Sequence, residues 1–251
     1  MNAQTLEDKL SQKESLVEMF RRQEFVEEEY QWSFPDEPFS FPDEYTNWIE
    51  EQRAWSESCI LMDQSYHLAN LYISGPDVLK VNNDLGINNL NSFETKDPPQ
   101  AKHHPLCSPD GYLIGDCILF YLEDSKFVVA GGASVPENWI QYNIETGNYD
   151  VSLDGIYSPY HEGGPIDYRF EIQGPNAMVV MEDVIDGPLP DISFFEMDKI
   201  SIEGTDAYIL GHGMADTPGV EIFGSYKHHD KVKKRILEAG EEHGIRQLGS
   251  K

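Results

Sequence analysis

The spacing of hydrophobic and polar residues predicts short strands alternating with short amphipathic helices. Apolar residues recur at helical spacing among charged ones, which predicts helices over 5–29, 76–83, 136–146, 176–185 and 229–243. A further helix should begin after Asn47, with Glu50 placed to complete a capping box. Period-two apolar runs predict strands over 68–73, 112–122, 126–130, 168–173, 200–202, 207–210 and 220–223. The connections within 110–130 and 199–212 are too short for crossovers, so we expect an α+β fold with mostly antiparallel sheets.

A sequence pattern that occurs twice suggests two similar halves. Residues 71–84 read LYISGPDVLKVNND and residues 170–183 read FEIQGPNAMVVMED. Each string is a strand that runs into Gly-Pro and then into an amphipathic helix. Proline is pre-set for the first helical position and glycine lets the chain turn sharply. We therefore expect two strand–Gly-Pro–helix halves packed around a common centre, although chance use of a common helix start is the alternative.

Charge changes the picture of partners and environment. The 251 residues contain 45 acidic and 18 basic side chains, for a net charge of −27. Such a surface repels nucleic-acid phosphates and anionic membranes, so neither is an expected partner. Because the acids are spread along the chain, the composition favours the cytoplasm of a salt-loving organism, where salt screens self-repulsion. An acidic protein without a salt requirement is the alternative.

Familiar catalytic and metal-binding signatures are missing from the sequence. It contains no nucleophile elbow, phosphate-binding glycine loop or HExxH helix. Cys59, Cys107 and Cys117 have unrelated spacings, which predicts neither a disulfide framework nor a metal site. The adjacent pairs His103-His104 and His228-His229 stand in polar surroundings, and we expect them to be solvated in loops.

Polar residues that interrupt apolar runs are more informative. Asp63 follows Cys59-Ile-Leu-Met, Asp116 interrupts the run at 112–122, and Glu221 interrupts the run at 220–223. An acid on a strand ordinarily points outward. Three such positions in one chain nevertheless favour a shared polar pocket.

Several strings also resemble a known family. GYLIGDCILFYL, FEIQGPNA and PGVEIFGSY resemble three motifs of the glycine-cleavage T-proteins, which are aminomethyltransferases. The chain is still more similar to tetrahydrofolate-dependent O-demethylases of vanillate and syringate. The residues that carry this second resemblance are Asn47-Trp48, Glu51-Gln52, Ala54-Trp55, Ser58-Cys59, Leu61, Asp63-Gln64 and His67. The resemblance extends from about residue 15 to 250 and implies the aminomethyltransferase folate-binding fold.

The resemblance also implies a role for individual residues. Glu221 would bind the pterin ring of tetrahydrofolate, because a carboxylate can accept two N–H bonds from its aminopyrimidine edge. Asp116 aligns with an aspartate near folate N5, so it is a candidate for both cofactor binding and catalysis. Gln64 would contact the cofactor or the substrate, and His67 would contact the substrate as a candidate catalytic residue. Tyr30 lies near the family's N-terminal substrate-contacting tyrosines and is likewise a candidate catalytic residue.

The resemblance further implies how the chain is organised and what it does. Residues 1–251 would form the folate-binding region, with two interleaved subdomains, one inserted around 75–165. The family's C-terminal barrel domain would be absent, so the chain would be a fragment, one half of a split enzyme that needs a separate C-terminal-domain subunit, or a degenerate copy. The expected function is transfer of a methyl group from a methoxylated small molecule to tetrahydrofolate. The alternatives are aminomethyl transfer in glycine cleavage and folate binding without catalysis.

Overall fold

Two β-sheets form the framework of the protein. The structure is a computed structural model, and it describes residues 42–66, 68–123, 126–131, 135–157 and 164–249. Sheet 1 has six strands, in the order β11-β1-β7-β10-β9-β8. Its strands are β1 (Cys59–Asp63), β7 (Asp167–Gln173), β8 (Met197–Ile202), β9 (Thr205–Gly211), β10 (Gly219–Ser225) and β11 (Ile245–Gln247). Its pairs are antiparallel except for β1 with β11, which is parallel.

Sheet 2 is built from the segment of chain that lies between β1 and β7. Its five strands have the order β3-β4-β5-β2-β6 and pair antiparallel throughout. They are β2 (Ala69–Ser74), β3 (Gln100–Cys107), β4 (Leu113–Glu123), β5 (Lys126–Gly131) and β6 (Ser152–Tyr157). The predicted antiparallel pairing is therefore observed in both sheets.

Short helices cover the outer faces of the sheets. The α-helices are α1 (Trp48–Glu57), α2 (Val78–Leu85), α3 (Ser92–Thr95), α4 (Val135–Thr146), α5 (Ala177–Val184) and α6 (His229–Gly240). Single turns of 3-10 helix, Tyr226–His228 and Glu241–His243, flank α6. In the described part of the chain, no helix is long and apolar enough to cross a membrane.

Each strand of sheet 1 presents alternate residues to two different environments. On β7, Tyr168, Phe170 and Ile172 belong to a buried core that also holds residues of α5 and α6. The opposite face, which we call the inner face, turns toward sheet 2. There Leu210 and Phe223 of sheet 1 share a buried cluster with residues of sheet 2, namely Ala101, Phe120, Val128 and Ala130. The inner face therefore packs against a second layer, and the residues of this cluster are shielded from water by it.

The two Gly-Pro strings adopt matching conformations. Gly75 has φ of +127° and Gly174 has φ of +123°, a region that strongly favours glycine. At each glycine, a Cβ would approach a backbone oxygen of a neighbouring segment, to 2.6 Å at Gly75 and 2.7 Å at Gly174. Helices α2 and α5 begin three residues after these glycines. The expected repetition of strand, Gly-Pro and helix is thus present in both sheets.

The structure confirms most predicted elements and corrects others. Every predicted helix after residue 47 and every predicted strand is present within a few residues, whereas the helix at 5–29 lies outside the described residues. Asn47 caps α1 with its side chain, but the Glu50 carboxylate pairs with Arg53 at 2.7 Å. Strands β1, β3, β6 and β11 were not predicted, because none of them shows a clear period of two. β1 begins with a continuous apolar run, β3 contains proline, β6 contains glycine, and β11 has only three residues. The proposed interleaving of subdomains stays a prediction.

Candidate functional site

A row of polar side chains lies on the inner face of sheet 1. Arg169, Glu171 and Gln173 alternate with core residues along β7, and Glu221 stands directly opposite Glu171 on β10. All four side chains are buried, with exposures from 0% to 3%. Buried charged groups must be paired or hydrogen-bonded to be tolerated. The row is therefore a site built by the sheet's own alternation rather than an accident of the surface.

Glu221 is held by a guanidinium clamped between aromatic rings. Arg169 donates from one terminal nitrogen to Glu221 Oε1. The Arg169 guanidinium carbon lies 4.7 Å from the ring centroid of Phe223 in sheet 1 and 5.1 Å from that of Phe120 in sheet 2. Cation–π contacts of this kind stabilise a desolvated guanidinium. Glu221 consequently keeps a compensated negative charge in a dry layer.

Glu171, the buried carboxyl opposite Glu221, is within hydrogen-bond distance of a histidine. His212 Nδ1 lies 3.1 Å from Glu171 Oε1 and 3.9 Å from Glu221 Oε2. Gln173 donates from its amide to the same Glu171 oxygen, while its own carbonyl accepts from Met214 N–H at 2.9 Å. Burial, together with the neighbouring charge of Glu221, raises the pKa of Glu171 above its ordinary value. The hydrogen bond with Glu171 raises the pKa of His212, so the two groups compete for one proton.

The ligand atoms of Glu171, His212 and Glu221 lie within 4.8 Å of one another, a spacing that a metal ion also accepts. Arg169 already provides a positive charge at Glu221, however, and a cation bound there would face that guanidinium. The donor set therefore fits an organic ligand with N–H groups better than it fits an ion.

An open cleft is lined by two phenylalanines whose rings lie close to the His212 ring. The cleft encloses about 800 Å³ and is lined by Phe194, Phe195 and His103 among others. The rings of Phe194 and Phe195 lie 5.9 and 5.7 Å from the His212 ring, centroid to centroid. Phe195 has φ of +63°, which is strained for a bulky residue and frequent at functional positions. An aromatic platform thus connects the buried carboxyl pair to the cleft.

Asp116 contacts a histidine that lines this cleft. It is exposed on β4 and its Oδ2 lies 3.1 Å from Nε2 of His103, which lines the cleft. Asp116 shares the strand face of Ile118 and Phe120, the residues that turn toward sheet 1. The structure therefore places two predicted site residues on the surfaces by which the two sheets face each other, Asp116 on sheet 2 and Glu221 on sheet 1.

The remaining predicted residues are more varied in position. Gln64 is half-buried directly after β1, and its backbone N–H donates to the Arg169 carbonyl at 2.8 Å. It thus neighbours the strand that carries the polar row. Tyr30 and His67 lie outside the described residues.

Asp63 does not join the expected polar pocket. Its side chain lies on the outer face of sheet 1, where it accepts from His229 Nε2 at 2.7 Å and from Lys233 Nζ at 3.0 Å. Both partners belong to α6. The prediction of a pocket shared by Asp63, Asp116 and Glu221 was therefore wrong for Asp63, because the alternation of β1 turns its side chain away from sheet 2.

The expectation that both histidine pairs are solvated in loops was also wrong. His104 is fully buried on β3, where its Nε2 lies 3.0 Å from Asn82 Oδ1. His229 is buried as the first residue of α6. Adjacent residues of a strand point to opposite faces, so His103 stays exposed while His104 enters the core. Cys59, Cys107 and Cys117 are free thiols.

Comparison with solved structures defines the class of the fold. The structure matches a glycine cleavage system aminomethyltransferase T from Bartonella henselae with a TM-score of 0.64, at 15% sequence identity, over 82% of this chain and 52% of that chain. It also matches a heterotetrameric sarcosine oxidase from Corynebacterium sp. U-96 with a TM-score of 0.52, at 10% identity, over 80% of this chain and 94% of that chain. The predicted fold class, an α+β fold of the aminomethyltransferase type, is confirmed.

Comparison with sequences identifies the family. The GCVT N-terminal domain family matches residues 21–251, and the chain belongs to that family. A syringate O-demethylase from Sphingobium sp. SYK-6 is 36% identical over 198 residues, which are 78% of this chain and 42% of the relative. An aminomethyltransferase from Natranaerobius thermophilus is 23% identical over 184 residues, 73% of this chain and 48% of the relative. The chain thus spans about half the length of these relatives, and the predicted resemblance to both groups is confirmed.

Proposed function

We propose that the chain binds tetrahydrofolate through Glu221 and acts in methyl transfer from a methoxylated small molecule to that cofactor. The observation that carries this proposal is the buried, charge-compensated carboxylate of Glu221 on the inner face of sheet 1. The similarity to a syringate O-demethylase supports the methoxylated donor over other one-carbon donors.

The chemistry of the site fits the pterin ring. The aminopyrimidine edge of a pterin presents adjacent N–H groups, and a carboxylate accepts two such bonds with matched geometry. Glu221 lies in a layer from which water is largely excluded, where charge-assisted bonds are stronger than in solution. Arg169 fixes one of its oxygens, which holds the carboxylate in one orientation before the ligand arrives. The aromatic pair Phe194 and Phe195 offers a stacking surface toward the cleft.

Tetrahydrofolate, when bound, supplies the nucleophilic N5 that accepts the methyl group. We propose that this chain orients that nitrogen with Asp116, for which the family resemblance implies a position near N5. Gln64 would contact the cofactor or the substrate. A protonated side chain must serve the departing oxygen, since a bare phenolate or alkoxide leaves poorly. His67 and Tyr30 are the proposed groups for this proton and for contact with the methyl donor.

A further domain would complete the reaction. The relatives are about twice as long as the stretch that matches this chain. We propose that a C-terminal barrel domain, in a partner subunit or in the same polypeptide, closes the substrate side of the cleft.

Calorimetric titration with 5-formyltetrahydrofolate, a reduced folate stable in air, tests the binding. Glu221→Ala should weaken binding at least about tenfold, because a charge-assisted hydrogen bond contributes about 1.5–3 kcal/mol. Since that change also leaves Arg169 unpaired, Glu221→Gln serves as a second variant that keeps the shape and an acceptor for the guanidinium. Glu238→Ala, an exposed glutamate of α6, is the matched control and should bind as the wild type does. Equal affinity of all four proteins would show that Glu221 is not the anchor.

Methyl transfer requires its own test. The chain is incubated with tetrahydrofolate and syringate, alone and with the proposed C-terminal subunit, and 5-methyltetrahydrofolate is measured by mass spectrometry. The pair should form the product and Asp116→Asn should slow it without loss of folding. Product from an aminomethyl donor instead would assign the chain to glycine cleavage, and no product from either donor would leave folate binding as its role.

A further inference from the structure

One carboxyl oxygen of Glu171 has no hydrogen-bond partner in the part of the chain that the structure describes. Its Oε1 is bonded by His212 and Gln173, whereas Oε2 is buried and has no hydrogen-bond partner among the described residues. The side chain is fully buried. Buried polar atoms are nearly always paired, and an exception calls for an explanation. A ligand atom that reaches Oε2 would supply the missing partner.

The unused oxygen belongs to a pair of carboxyls that face the same space. Glu171 and Glu221 are Cα partners in the β7–β10 ladder, so their side chains leave the sheet side by side on its inner face. Two ionised carboxylates at this spacing would repel one another strongly in a dry layer. Arg169 compensates Glu221, while Glu171 has the weaker and titratable compensation of His212.

The pyrimidine edge of a pterin is a three-part pattern of two donors and one acceptor. The 2-amino group and N3–H are donors, and the neighbouring 4-oxo oxygen is an acceptor. An ionised carboxylate satisfies the two donors but repels the oxygen. A neutral carboxyl beside it would satisfy the oxygen as well.

We propose that Glu171 is a second pterin-recognition residue, which binds as the neutral acid and donates from Oε2 to the 4-oxo oxygen while Glu221 accepts from the two N–H groups. This assignment rests on the proposed folate binding. It explains why Oε2 of Glu171 has no partner among the described residues. It also explains why two carboxyls are buried side by side at a place where a single carboxylate could bind a pterin. Gln173 and His212 act as positioning residues, since they fix the Oε1 side of the group.

The protonation of Glu171 is consistent with its surroundings. Burial and the adjacent Glu221 raise its pKa, and His212 opposes that rise through its hydrogen bond. The titratable and charged groups that face it in the described structure are Glu221 on β10, His212 after β9 and Arg169 on β7. Because the complex holds the proton more tightly than the free protein, affinity should fall by about tenfold per pH unit once the free Glu171 ionises.

Proton uptake on binding is the test, since it does not depend on turnover. The enthalpy of 5-formyltetrahydrofolate binding is measured at about pH 8 and about pH 6 in buffers of different ionisation enthalpy, which counts the protons exchanged. The wild-type chain should take up protons at the higher pH, approaching one per ligand, and fewer at the lower pH. Glu171→Gln should still bind, because its amide N–H donates to the 4-oxo oxygen, but should take up none.

A matched control separates this site from other buried acids. Glu137 is also a fully buried glutamate with a raised pKa, but it lies at the start of α4 on the outer side of sheet 2. Glu137→Gln should leave the proton uptake unchanged. Binding with no uptake, with proton release, or with uptake that survives Glu171→Gln would overturn the inference while the proposed function stands. No binding by the wild-type chain would refute the proposed function itself.

Discussion

The ion cluster around Asp63 should be a main support of the C-terminal helix, and Asp63→Asn tests this. Asp63 ends β1 and accepts from His229 Nε2 at 2.7 Å, Lys233 Nζ at 3.0 Å and Ser65 N–H at 3.2 Å. His229 and Lys233 are both on α6, so one carboxylate ties that helix to the sheet. An asparagine has the same shape but removes the buried negative charge that His229 Nε2 and Lys233 Nζ share.

The magnitude follows from the pKa of Asp63. Burial alone would raise it, but the hydrogen bond from His229 and the charge of Lys233 lower the pKa of Asp63 from 3.8 to about 2. A shift of this size corresponds to about 2.5 kcal/mol of folding stability near neutral pH. For a chain of this length, we expect the melting temperature of Asp63→Asn to fall by about 5–10 °C.

The pH dependence has a definite sign. The depressed pKa of Asp63 stabilises the fold above the unfolded value of 3.8, and this contribution is lost as pH falls toward about 2. The raised pKa of His229 adds stability that is present below 6.5 and lost as pH rises through the folded value. The difference between wild type and variant should therefore be largest in mildly acidic solution and should close on further acidification.

Urea unfolding followed by tryptophan fluorescence measures this difference. Asp230→Asn is the matched control, because Asp230 bonds the other nitrogen of His229 at 2.7 Å but is fully exposed. It should shift the unfolding midpoint much less than Asp63→Asn does, because exposed ion pairs contribute little to stability. Equal midpoints for wild type and Asp63→Asn, or a difference that does not change with pH, would refute the reasoning.

Two further predictions concern the fold and its environment. Gly174→Ala should destabilise the chain by more than about 1 kcal/mol in the same unfolding assay, since φ is +123° and a Cβ would lie 2.7 Å from the Ser58 carbonyl oxygen. Gly187→Ala is the control, because Gly187 also has a positive φ but has open space around it. The difference between the two variants separates the cost of the backbone conformation from the cost of the clash. The net charge of −27 predicts a melting temperature that rises between about 0.1 and about 3 M KCl, because the screening length falls from about 10 Å to below about 3 Å. A melting temperature that is flat across this range would contradict the expected salt requirement.

Local pattern predicted the elements well where each strand keeps one apolar face. Strands β4, β7 and β10 follow this rule, and so do the helices after the Gly-Pro strings. β3 does not, since its sequence QAKHHPLC contains two histidines and a proline. It is nevertheless a strand because β4 supplies a complete antiparallel ladder for it. Such partners come from tertiary structure, which a single-sequence pattern does not contain.

The site shows the same limit more sharply. Glu221 was predicted because a motif surrounds it, and the structure places it in a buried polar row. Arg169, Glu171 and His212 were missed, although Glu171 stands inside the quoted string FEIQGPNA. The signal that was available is the alternation of YRFEIQ, in which every second residue is polar and long. Alternation of this kind usually describes a solvated face, and only the presence of sheet 2 converts it into a buried one.

Strand β7 therefore contributes core residues on one face and polar residues of the candidate site on the other. The even-numbered residues of β7 fill the core under α5 and α6, and the odd-numbered residues form the polar row. Because the side-chain period of a strand is two, a slip of one residue would place the charged row among the helices and the core residues against sheet 2. The register is held at one end by the turn at Gly174 and along its length by the ladder with β10. The pairing that stabilises the sheet is thus the same pairing that sets Glu171 beside Glu221, and a shift of that register would disturb folding and the proposed ligand binding together.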